Sequence, residues 1–281
     1  MKNVVFATCH SMPGYQPDDV LTVAALEARG CMVTPAAWNG SFAPFECADL
    51  VVVRSTWDYF EEPAAFDRWL ERLKTVPGVV CNAPSLMLWN SNKKYLLDLA
   101  ERGAPLPPTR LSQPNASSLA AAMDEMALQE AVVKPVVGAG ARGLTVMRRD
   151  DPASLDRAVA VLRHEGLVQP LIPEIRTLGE TSCTFFGGEF SHAVVKKPAV
   201  DSILVQAEHG GRTEPVSLMP GQLAIAHAML DLLPEPAIYA RVDIVLTEAA
   251  PLLMEIEVLE PDLFVTHDAA AADRFASALL A

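Results

Sequence analysis

The sequence predicts an α/β fold for the amino-terminal third of the chain and an α+β fold for the remainder. In the first 85 residues, apolar runs of strand length alternate with longer helical runs, which is typical of a parallel sheet covered by helices. Beyond residue 130, strand-like runs follow one another in pairs across short turns, which favours antiparallel hairpins. Three prolines in "APLPPT" separate the two regions.

The amino-terminal elements alternate between strand and helix. "NVVFATC" predicts a buried strand, and "PDDVLTVAALEARG" predicts a helix, because a proline and two acidic residues begin it and Gly30 follows it. "CMVTPAAW", "DLVVVRSTWD" and "GVVCNAP" predict further strands, and "PAAFDRWLERLKTV" predicts a second helix. Ligands of parallel sheets bind beyond the carboxyl ends of the strands, and "RSTWDYF" lies at such an end.

The later elements begin with a single predicted helix over "SLMLWNSNKKYLLDLAERG". Three hairpins are then predicted: "AVVKPVV" with "LTVMRR", "TSCTFF" with "FSHAVVK", and "YARVDIVL" with "PLLMEIEVL". The helices "PASLDRAVAVLRHEG" and "GQLAIAHAMLDLL" separate these hairpins. The second half therefore contains antiparallel sheets and has no internal repeat.

Composition excludes several classes of protein. The chain has 281 residues, is 51% hydrophobic and carries a formal charge of −13, which argues against a nucleic-acid surface or an anionic membrane surface as partner. Its five cysteines form no C-x-x-C pair, so neither a zinc site nor a disulfide framework is indicated. The first apolar run is too short for a signal peptide, and no run reaches the roughly 18 residues of a membrane span. We therefore expect a cytoplasmic protein.

The glycines of "VVKPVVGAGARGLTVMRR", Gly138, Gly140 and Gly143, have the spacing G-x-G-x-x-G. A dinucleotide-binding loop needs a helix immediately after it, but "LTVMRR" predicts a strand. A P-loop is also excluded, because G-K-[ST] is missing. Two interpretations stay open: a plain hairpin turn, or a flexible flap whose N–H groups cover phosphates, with Lys134 directed at them.

Three carboxylates lie on two consecutive predicted strands. Glu255 and Glu257 point to one face, because side chains alternate along a strand, and Asp243 lies on the neighbouring strand. Adjacent carboxylates repel one another unless solvent or a cation compensates. The sequence therefore predicts either a half-exposed strand or a Mg²⁺ site shared with nucleotide phosphates.

Residues at the end of the third predicted strand are candidates for binding a small polar substrate. Arg54 is suited to a carboxylate and Asp58 to an ammonium group, with Ser55, Thr56 and Trp57 between them. The alternative is an Arg54–Asp58 ion pair beside a packed tryptophan. His192 is either a catalytic base or an ordinary hydrogen-bonded strand histidine.

The order of several motifs resembles the ATP-grasp superfamily of carboxylate–amine ligases. The motifs are "NSNKKYLLDLAERGAPLPPT", "VVKPVVGAGARG", "VQPLIPE", "GETSCTFFGGEFSHAVVKKP" and "YARVDIV…PLLMEIEVLEP". Glutathione-synthetase-like and D-alanine–D-alanine-ligase-like members are the most similar, together with a bacterial group that carries "RSTWDY". Cycloserine synthetase, which closes an O-ureidoserine into a ring, resembles this group. The resemblance implies an ATP-grasp fold with a substrate domain (1–84), a central flap subdomain (85–170) and a catalytic subdomain (171–281), the last two enclosing ATP.

The resemblance also implies which residues bind the nucleotide. Lys134 and either Lys93 or Lys94 would hold the phosphates, and the three glycines would form the flap that covers them. Either Glu174 or Glu180 would contact the ribose. The hinge that contacts adenine would run from Gln169 through Leu171 to Ile172.

The catalytic centre implied by the resemblance contains two Mg²⁺ ions. Asp243, Glu255 and Glu257 match the metal ligands, although many members of the superfamily have asparagine where this chain has Glu257. Arg241 matches the arginine that steadies the phosphoryl group and the oxyanion, and Lys196 or Lys197 would add a second cation.

The implied reaction phosphorylates a carboxylate with ATP, after which an amine displaces phosphate from the acyl phosphate. The partners are small molecules, and the two reacting groups belong either to two molecules or to one. Three alternatives remain from other classes: a kinase of the same fold, a nucleotide-binding regulator, and a dehydrogenase, which the missing helix after Gly143 disfavours. The sequence leaves a homodimer open.

Overall fold

The computed structural model describes residues 1–200, 202–248 and 250–281. The strands of these residues are β1 Lys2–Thr8, β2 Cys31–Ala37, β3 Leu50–Val53, β4 Val79–Cys81, β5 Arg110–Ser112, β6 Glu130–Pro135, β7 Thr145–Arg148, β8 Gly166–Pro170, β9 Glu180–Phe186, β10 Glu189–Lys197, β11 Arg212–Pro215, β12 Tyr239–Val245 and β13 Leu252–Glu257. The helices are α1 Pro17–Glu27, α2 Ala43–Glu46, α3 Pro63–Leu73, α4 Pro84–Asn90, α5 Tyr95–Glu101, α6 Ala116–Glu125, α7 Pro152–Val161, α8 Glu174–Thr177, α9 Pro220–Leu230 and α10 Ala271–Leu280. No helix within these ranges is long and apolar enough to span a bilayer.

The amino-terminal sheet has the strand order β2-β1-β3-β4, and every pairing in it is parallel. Alternate residues of β1 enter different cores: Phe6 packs with the α1 residue Leu26, whereas Val5 packs with the α3 residues Phe66 and Trp69. The predicted parallel α/β domain is confirmed, because its strands are buried by helices on both faces.

The central sheet has the order β5-β8-β6-β7 and is antiparallel. Its β6–β7 hairpin is the one predicted around the glycine loop, and no helix follows the loop. Gly140 and Gly143 have φ angles of 61° and 77°, which glycine adopts without strain. A Cβ atom at Gly143 would also lie 2.7 Å from Pro135 Cγ, so this position has no room for a side chain.

The carboxyl-terminal sheet has the order β11-β10-β9-β12-β13 and contains the other two predicted hairpins. Its central strand β12 is buried along its whole length. Helix α10, which the sequence analysis did not predict, packs Phe275 against Phe186 of β9 with ring centroids 4.7 Å apart. This helix therefore joins the third sheet to the core of the first.

The single helix predicted between the first two sheets is wrong, because the chain forms α4 and α5 with a break at residues 91–94. Asn90 at the end of α4 donates to the carbonyl oxygen of Ile256 (2.8 Å) and accepts from Val258 N (3.0 Å). Lys93 N donates to Val136 O at 2.6 Å. These long-range hydrogen bonds replace helical ones and place Lys93 between the second and third sheets.

Asn82, directly after β4, joins the first sheet to the third. Its side-chain amide donates to Tyr239 O (2.8 Å) and Val258 O (2.7 Å), and its side-chain oxygen accepts from Ile238 N (2.6 Å). The Tyr239 hydroxyl donates to Val53 O, at the carboxyl end of β3. The carboxyl ends of the parallel strands therefore lie against β12, and a large cavity opens at this junction.

Candidate active site

A cavity of about 1040 Å³ lies where the three sheets meet. It is bounded by the segment after β3, the glycine loop, the end of β8, and strands β12 and β13. The predicted site residues that line it are Trp57, Asp58, Lys93, Lys134, Gly138, Gly140, Gln169, Leu171, Ile172, Glu180, Lys196, Arg241, Asp243, Glu255 and Glu257. The predicted site residues that do not line it are Arg54, Ser55, Thr56, Lys94, Gly143, Glu174 and Lys197.

The three predicted metal ligands, Asp243, Glu255 and Glu257, form one cluster. Each contributes a carboxylate oxygen, and these oxygens lie within 4.8 Å of one another. The register of β12 and β13 explains the cluster, because Asp243 lies opposite Glu255 and Arg241 lies opposite Glu257. Several carboxylate oxygens at this spacing, open to a cavity, are a donor set that fits Mg²⁺.

Two buried cations compensate the acidic cluster. Arg241 Nη2 lies 2.9 Å from Asp243 Oδ2 and 2.5 Å from Glu257 Oε1. Lys196 Nζ lies 3.2 Å from Asp243 Oδ2 and 2.6 Å from Glu180 Oε1. Burial alone would raise the pKa of Asp243, but Arg241 and Lys196 outweigh it and lower that pKa. Asp243 is therefore held ionised, as a metal ligand must be.

Lys93 and Lys134 extend from different elements toward the same side of the cavity. The Lys93 ammonium contacts Glu255. Burial lowers the pKa of Lys134 to about 8, and the Lys93 cation adds to this effect. Among the described residues, Lys134 has no hydrogen-bond or ion-pair partner through its ammonium group. Two neighbouring cations, one of them unpaired, are suited to bind an anionic group such as a phosphate.

The glycine loop contacts the segment that follows β3. Gly138 and Gly140 line the cavity, whereas Gly143 packs at the base of the loop against Pro135. The Tyr59 hydroxyl lies 3.4 Å from Gly138 O, and the Arg142 guanidinium lies 5.2 Å from the ring centroid of Phe60. The loop therefore forms part of the wall of the cavity that Lys93 and Lys134 also line.

The far end of the cavity is more apolar and is formed by the residues after β8. Leu171, Ile172 and Ile175 line it. Gln169 is 2% exposed, and its side-chain amide donates to the Thr109 hydroxyl at 2.8 Å. An apolar slot of this kind suits a planar base.

The structure distinguishes between pairs of residues that the sequence left open. Lys93 and Glu180 line the cavity, whereas Lys94 forms an ion pair with Glu165 outside it and Glu174 begins α8. Lys196 is buried and faces Asp243, whereas its neighbour Lys197, predicted as catalytic, is exposed. Consecutive strand residues point to opposite faces, so β10 directs only the first of this pair into the cavity.

Replacing Lys196 by methionine is expected to lower ATP-dependent phosphate release at least about tenfold, because the cavity loses a cation bonded to Asp243 and Glu180. The matched change Lys197→Met removes an exposed cation one residue away and should leave the rate unchanged. Initial-rate measurements on both variants check this. Equal losses in the two variants would contradict the assignment.

Arg54 was predicted to bind a substrate carboxylate, but it does not line the cavity. It is 3% exposed, its Nε lies 2.7 Å from Asp19 Oδ1, and its Nη1 donates to Pro261 O at 3.0 Å. The alternative Arg54–Asp58 ion pair is also wrong, because Asp58 accepts from Trp38 Nε1 (2.6 Å) and from an asparagine amide. Burial of Arg54 needs a buried anion as partner, and Asp19 of α1 supplies it.

Replacing Arg54 by methionine is expected to lower the free energy of unfolding by about 3–5 kcal/mol, because Asp19 is left buried without its partner. The control Arg110→Met breaks the exposed Arg110–Glu125 pair and should cost at most about 1 kcal/mol. Urea unfolding of both variants measures this. Wild-type stability of Arg54→Met, combined with weaker substrate binding, would instead support direct substrate contact.

Ser55 and Thr56 also lie behind the cavity wall and are fully buried. Trp57 does line the cavity, and its indole nitrogen donates to Glu260 O at 2.9 Å. The "RSTWD" segment therefore supports the wall, with only its last two residues exposed to the cavity. His192 is buried and contacts the carbonyl oxygens of Leu263 and Phe264, and it does not line the cavity, so the interpretation as an ordinary hydrogen-bonded histidine describes it.

A group of acidic residues, which no sequence motif predicted, lines the part of the cavity formed by α1 and the segment after β13. Asp18 accepts hydrogen bonds from Val265 N (2.8 Å) and Thr266 N (3.0 Å), and Asp262 is its acidic neighbour. Burial raises the pKa of Asp262 to about 7, and the Asp18 carboxylate adds to this rise. Burial likewise raises the pKa of Glu260 to about 7, reinforced by Glu257. The only sequence signal was the acidic run "EVLEPD" after β13.

The amino-acid sequence is similar to that of known proteins. The family model described as "D-cycloserine synthetase DcsG, N-terminal domain" matches residues 4–82. The cycloserine biosynthesis protein DcsG of Streptomyces lavendulae is 32% identical over 262 residues, which cover 86% of this chain and 86% of that protein.

Solved structures also show similarity to DcsG. The crystal structure of D-cycloserine synthetase DcsG matches with a TM-score of 0.87 at 26% identity, covering 99% of this chain and 98% of that one. A RimK domain ATP-grasp protein from Sphaerobacter thermophilus (TM-score 0.73, 16% identity, 99% and 100% coverage) shares the fold. D-alanine–D-alanine ligase from Bacillus anthracis also shares the fold, with a TM-score of 0.70 at 18% identity, covering 99% of this chain and 95% of that one. The ATP-grasp fold expected from the motifs is confirmed.

Proposed function

Because the chain belongs to the family of the cycloserine biosynthesis protein DcsG and is an ATP-grasp carboxylate–amine ligase, we propose that it uses ATP and Mg²⁺ and forms an acyl phosphate. The observation that carries the proposal is the cavity in which three clustered carboxylates face four cationic side chains. Those cations are Lys93, Lys134, Lys196 and Arg241. The charges and their spacing suit a nucleotide with its metal ions.

The nucleotide is proposed to lie along the cavity from the apolar slot to the acidic cluster. Its base would occupy the slot beside Leu171 and Ile172, and its phosphates would contact Lys93 and Lys134. The backbone of Gly138 and Gly140 would cover the phosphates and exclude water from them. Glu180, which lines the cavity and holds Lys196 at 2.6 Å, is the proposed ribose contact.

Mg²⁺ held by Asp243, Glu255 and Glu257 would neutralise charge on the transferring phosphoryl group. Glu255 now contacts Lys93, so binding of phosphates by Lys93 would free Glu255 for the metal. Asp243 is fixed by Arg241 and Lys196 on one side and by the Ser182 hydroxyl, at 2.6 Å, on the other. Asp243 is therefore held in place and would need no rearrangement when charge develops.

The bond-forming steps place negative charge near Arg241. A carboxylate is a poor electrophile, so its phosphorylation by ATP precedes attack by the amine. Arg241 donates through Nη1 to Asp262 O at 3.1 Å, and its Nη2 contacts both Asp243 and Glu257. These contacts fix the guanidinium, which supports Arg241 as the proposed donor to the oxyanion of the tetrahedral intermediate.

We further propose that the amine and the carboxylate belong to one molecule, so that the reaction closes a ring. The support is the relative, whose name assigns it to cycloserine biosynthesis and which is 32% identical across most of both proteins. The proposed setting is therefore the biosynthesis of an antibiotic or a related small cyclic molecule.

Phosphate release from ATP and Mg²⁺, measured over a panel of amino acids, dipeptides and O-ureidoserine, tests the proposed function. The same panel with hydroxylamine traps an acyl phosphate as a hydroxamate. Orthophosphate together with hydroxamate in one reaction supports the ligase and identifies the acid. A phosphorylated substrate without orthophosphate would instead indicate a kinase.

A further inference from the structure

The cavity is divided by charge into two ends. The end at β6, β10 and β12 contains Lys134, Lys196 and Arg241, whereas the other end is formed by segments 11–18, 57–61 and 259–267, and Lys93 and Arg241 are near enough to both to act on Glu260. Of the side chains that these segments contribute to the cavity, only His267 is basic, while five are carboxylic acids: Asp18, Asp58, Glu61, Glu260 and Asp262. A substrate part that binds at this end must therefore tolerate or compensate negative charge.

Glu260 is the most unusual of these acids. It is 7% exposed and lines the cavity, yet among the described residues no other residue donates a hydrogen bond to its carboxylate or forms an ion pair with it. Its backbone oxygen accepts from Trp57, so the side chain extends from a fixed backbone. Lys93 and Arg241 offset part of its charge from nearby, but neither bonds to it. A buried carboxyl group without a hydrogen-bond partner is costly, and a bound ligand with N–H donors would supply that partner.

Asp18 and Asp262 are neighbours at the same end, and each shifts the pKa of the other. Asp18 is 9% exposed and accepts from Val265 N and from both the backbone N–H and the hydroxyl of Thr266, so its own acceptor capacity is largely used. Asp262 accepts from Phe264 N at 3.2 Å and also lines the cavity. Asp58, in contrast, already accepts two side-chain hydrogen bonds. Glu61 is exposed to solvent, so Glu260 and Asp262 are the more enclosed acids with capacity left for a ligand.

The segment that carries these two acids is held rigidly by three other elements. Arg54 Nη1 donates to Pro261 O (3.0 Å), and Arg241 Nη1 donates to Asp262 O (3.1 Å). The hydroxyl of Thr184 donates to Leu263 O (3.1 Å). This is the contribution of the "RSTWD" motif to the cavity, because its arginine positions the acidic segment instead of contacting a ligand.

We propose that Glu260, with the Asp18–Asp262 pair, binds the ammonium group of an amino-acid substrate. The inference rests on the proposed function, since it assumes that the small substrate enters this cavity. Arg241 contacts the acidic segment on one side and the metal carboxylates on the other. A substrate whose ammonium group is bound at Glu260 therefore presents the rest of the molecule, including its carboxylate, to the phosphoryl-transfer end.

Binding of matched probe pairs tests the inference in the presence of a non-hydrolysable ATP analogue and Mg²⁺. One pair is D-cycloserine and the same ring without its amino group, and the other is D-alanine and propionate. We expect an amino member to bind the wild-type protein about tenfold to a hundredfold more tightly than its deaminated partner, because hydrogen bonds to a charged group contribute this much. Calorimetric titration measures both affinities.

Glu260→Gln and Asp262→Asn, which keep the shape of each side chain, should remove most of this preference while binding of the ATP analogue is retained. Glu62→Gln, an exposed change beside the cavity segment, should keep the preference. The inference is overturned if deaminated probes bind as well as amino probes, if no amino probe binds while the ATP analogue does, or if both cavity variants keep the wild-type preference. If the ATP analogue does not bind to the wild-type protein, the proposed function is contradicted instead.

Discussion

Replacing Arg241 by lysine is expected to lower kcat for phosphate release by about a hundredfold to a thousandfold, the range found when a fixed oxyanion donor is removed. Arg241 uses a planar group to contact Asp243, Glu257 and the carbonyl oxygen of Asp262 together. Lysine keeps the charge but cannot make these contacts from one rigid group. The Michaelis constant for ATP should change much less, because Arg241 lies at the reacting end of the proposed site.

The matched control is Arg212→Lys, on the edge strand β11, where the side chain is exposed. This variant should retain the wild-type kcat. Thermal unfolding of both proteins separates a catalytic loss from a folding loss. A folded Arg241→Lys enzyme with nearly normal kcat would contradict the role assigned to Arg241.

Glu255→Gln is expected to abolish most ATP turnover and to weaken the apparent affinity for Mg²⁺ by about tenfold to a hundredfold. The change removes one of three clustered carboxylates while preserving shape, and Glu255 is 22% exposed, so the fold should tolerate it. The measurement is a Mg²⁺ titration of ATP turnover, with direct binding of the ATP analogue at each metal concentration.

Glu189→Gln makes the same chemical change at an exposed position of β10 and serves as the control. It should reproduce the wild-type Mg²⁺ titration. If Glu255→Gln also reproduces the wild-type Mg²⁺ titration, the three carboxylates do not form the metal site. The assignment of Asp243 and Glu257 as metal ligands then fails as well.

Much of the fold follows from local patterns. The β-α-β order and the three hairpins were predictable because each depends on periodicity and turn residues close together in sequence. The break between α4 and α5 was not predictable, because Asn90 is fixed by Ile256 and Val258, more than a hundred and sixty residues away. Helix α10 was predictable in principle, since Phe275 and Leu279 have helical spacing and both are buried.

The site was predictable to the extent that its residues share a strand pair or a loop. The carboxylate cluster follows from alternation along β12 and β13, and Lys134 follows from its place before the glycine loop. The partner of Arg54 could not be read from sequence, because Asp19 lies on a different element that only the folded first domain brings near. The same holds for the pair formed by Asp18 and Asp262.

The transfer of a labelled oxygen tests the central proposal most directly. The acid identified by phosphate release is prepared with heavy oxygen in its carboxylate and incubated with ATP, Mg²⁺ and the enzyme. If an acyl phosphate forms, one labelled oxygen passes from the carboxylate to the released orthophosphate, which mass spectrometry detects. Orthophosphate without label, released while the amide product forms, would contradict an acyl-phosphate mechanism at this site.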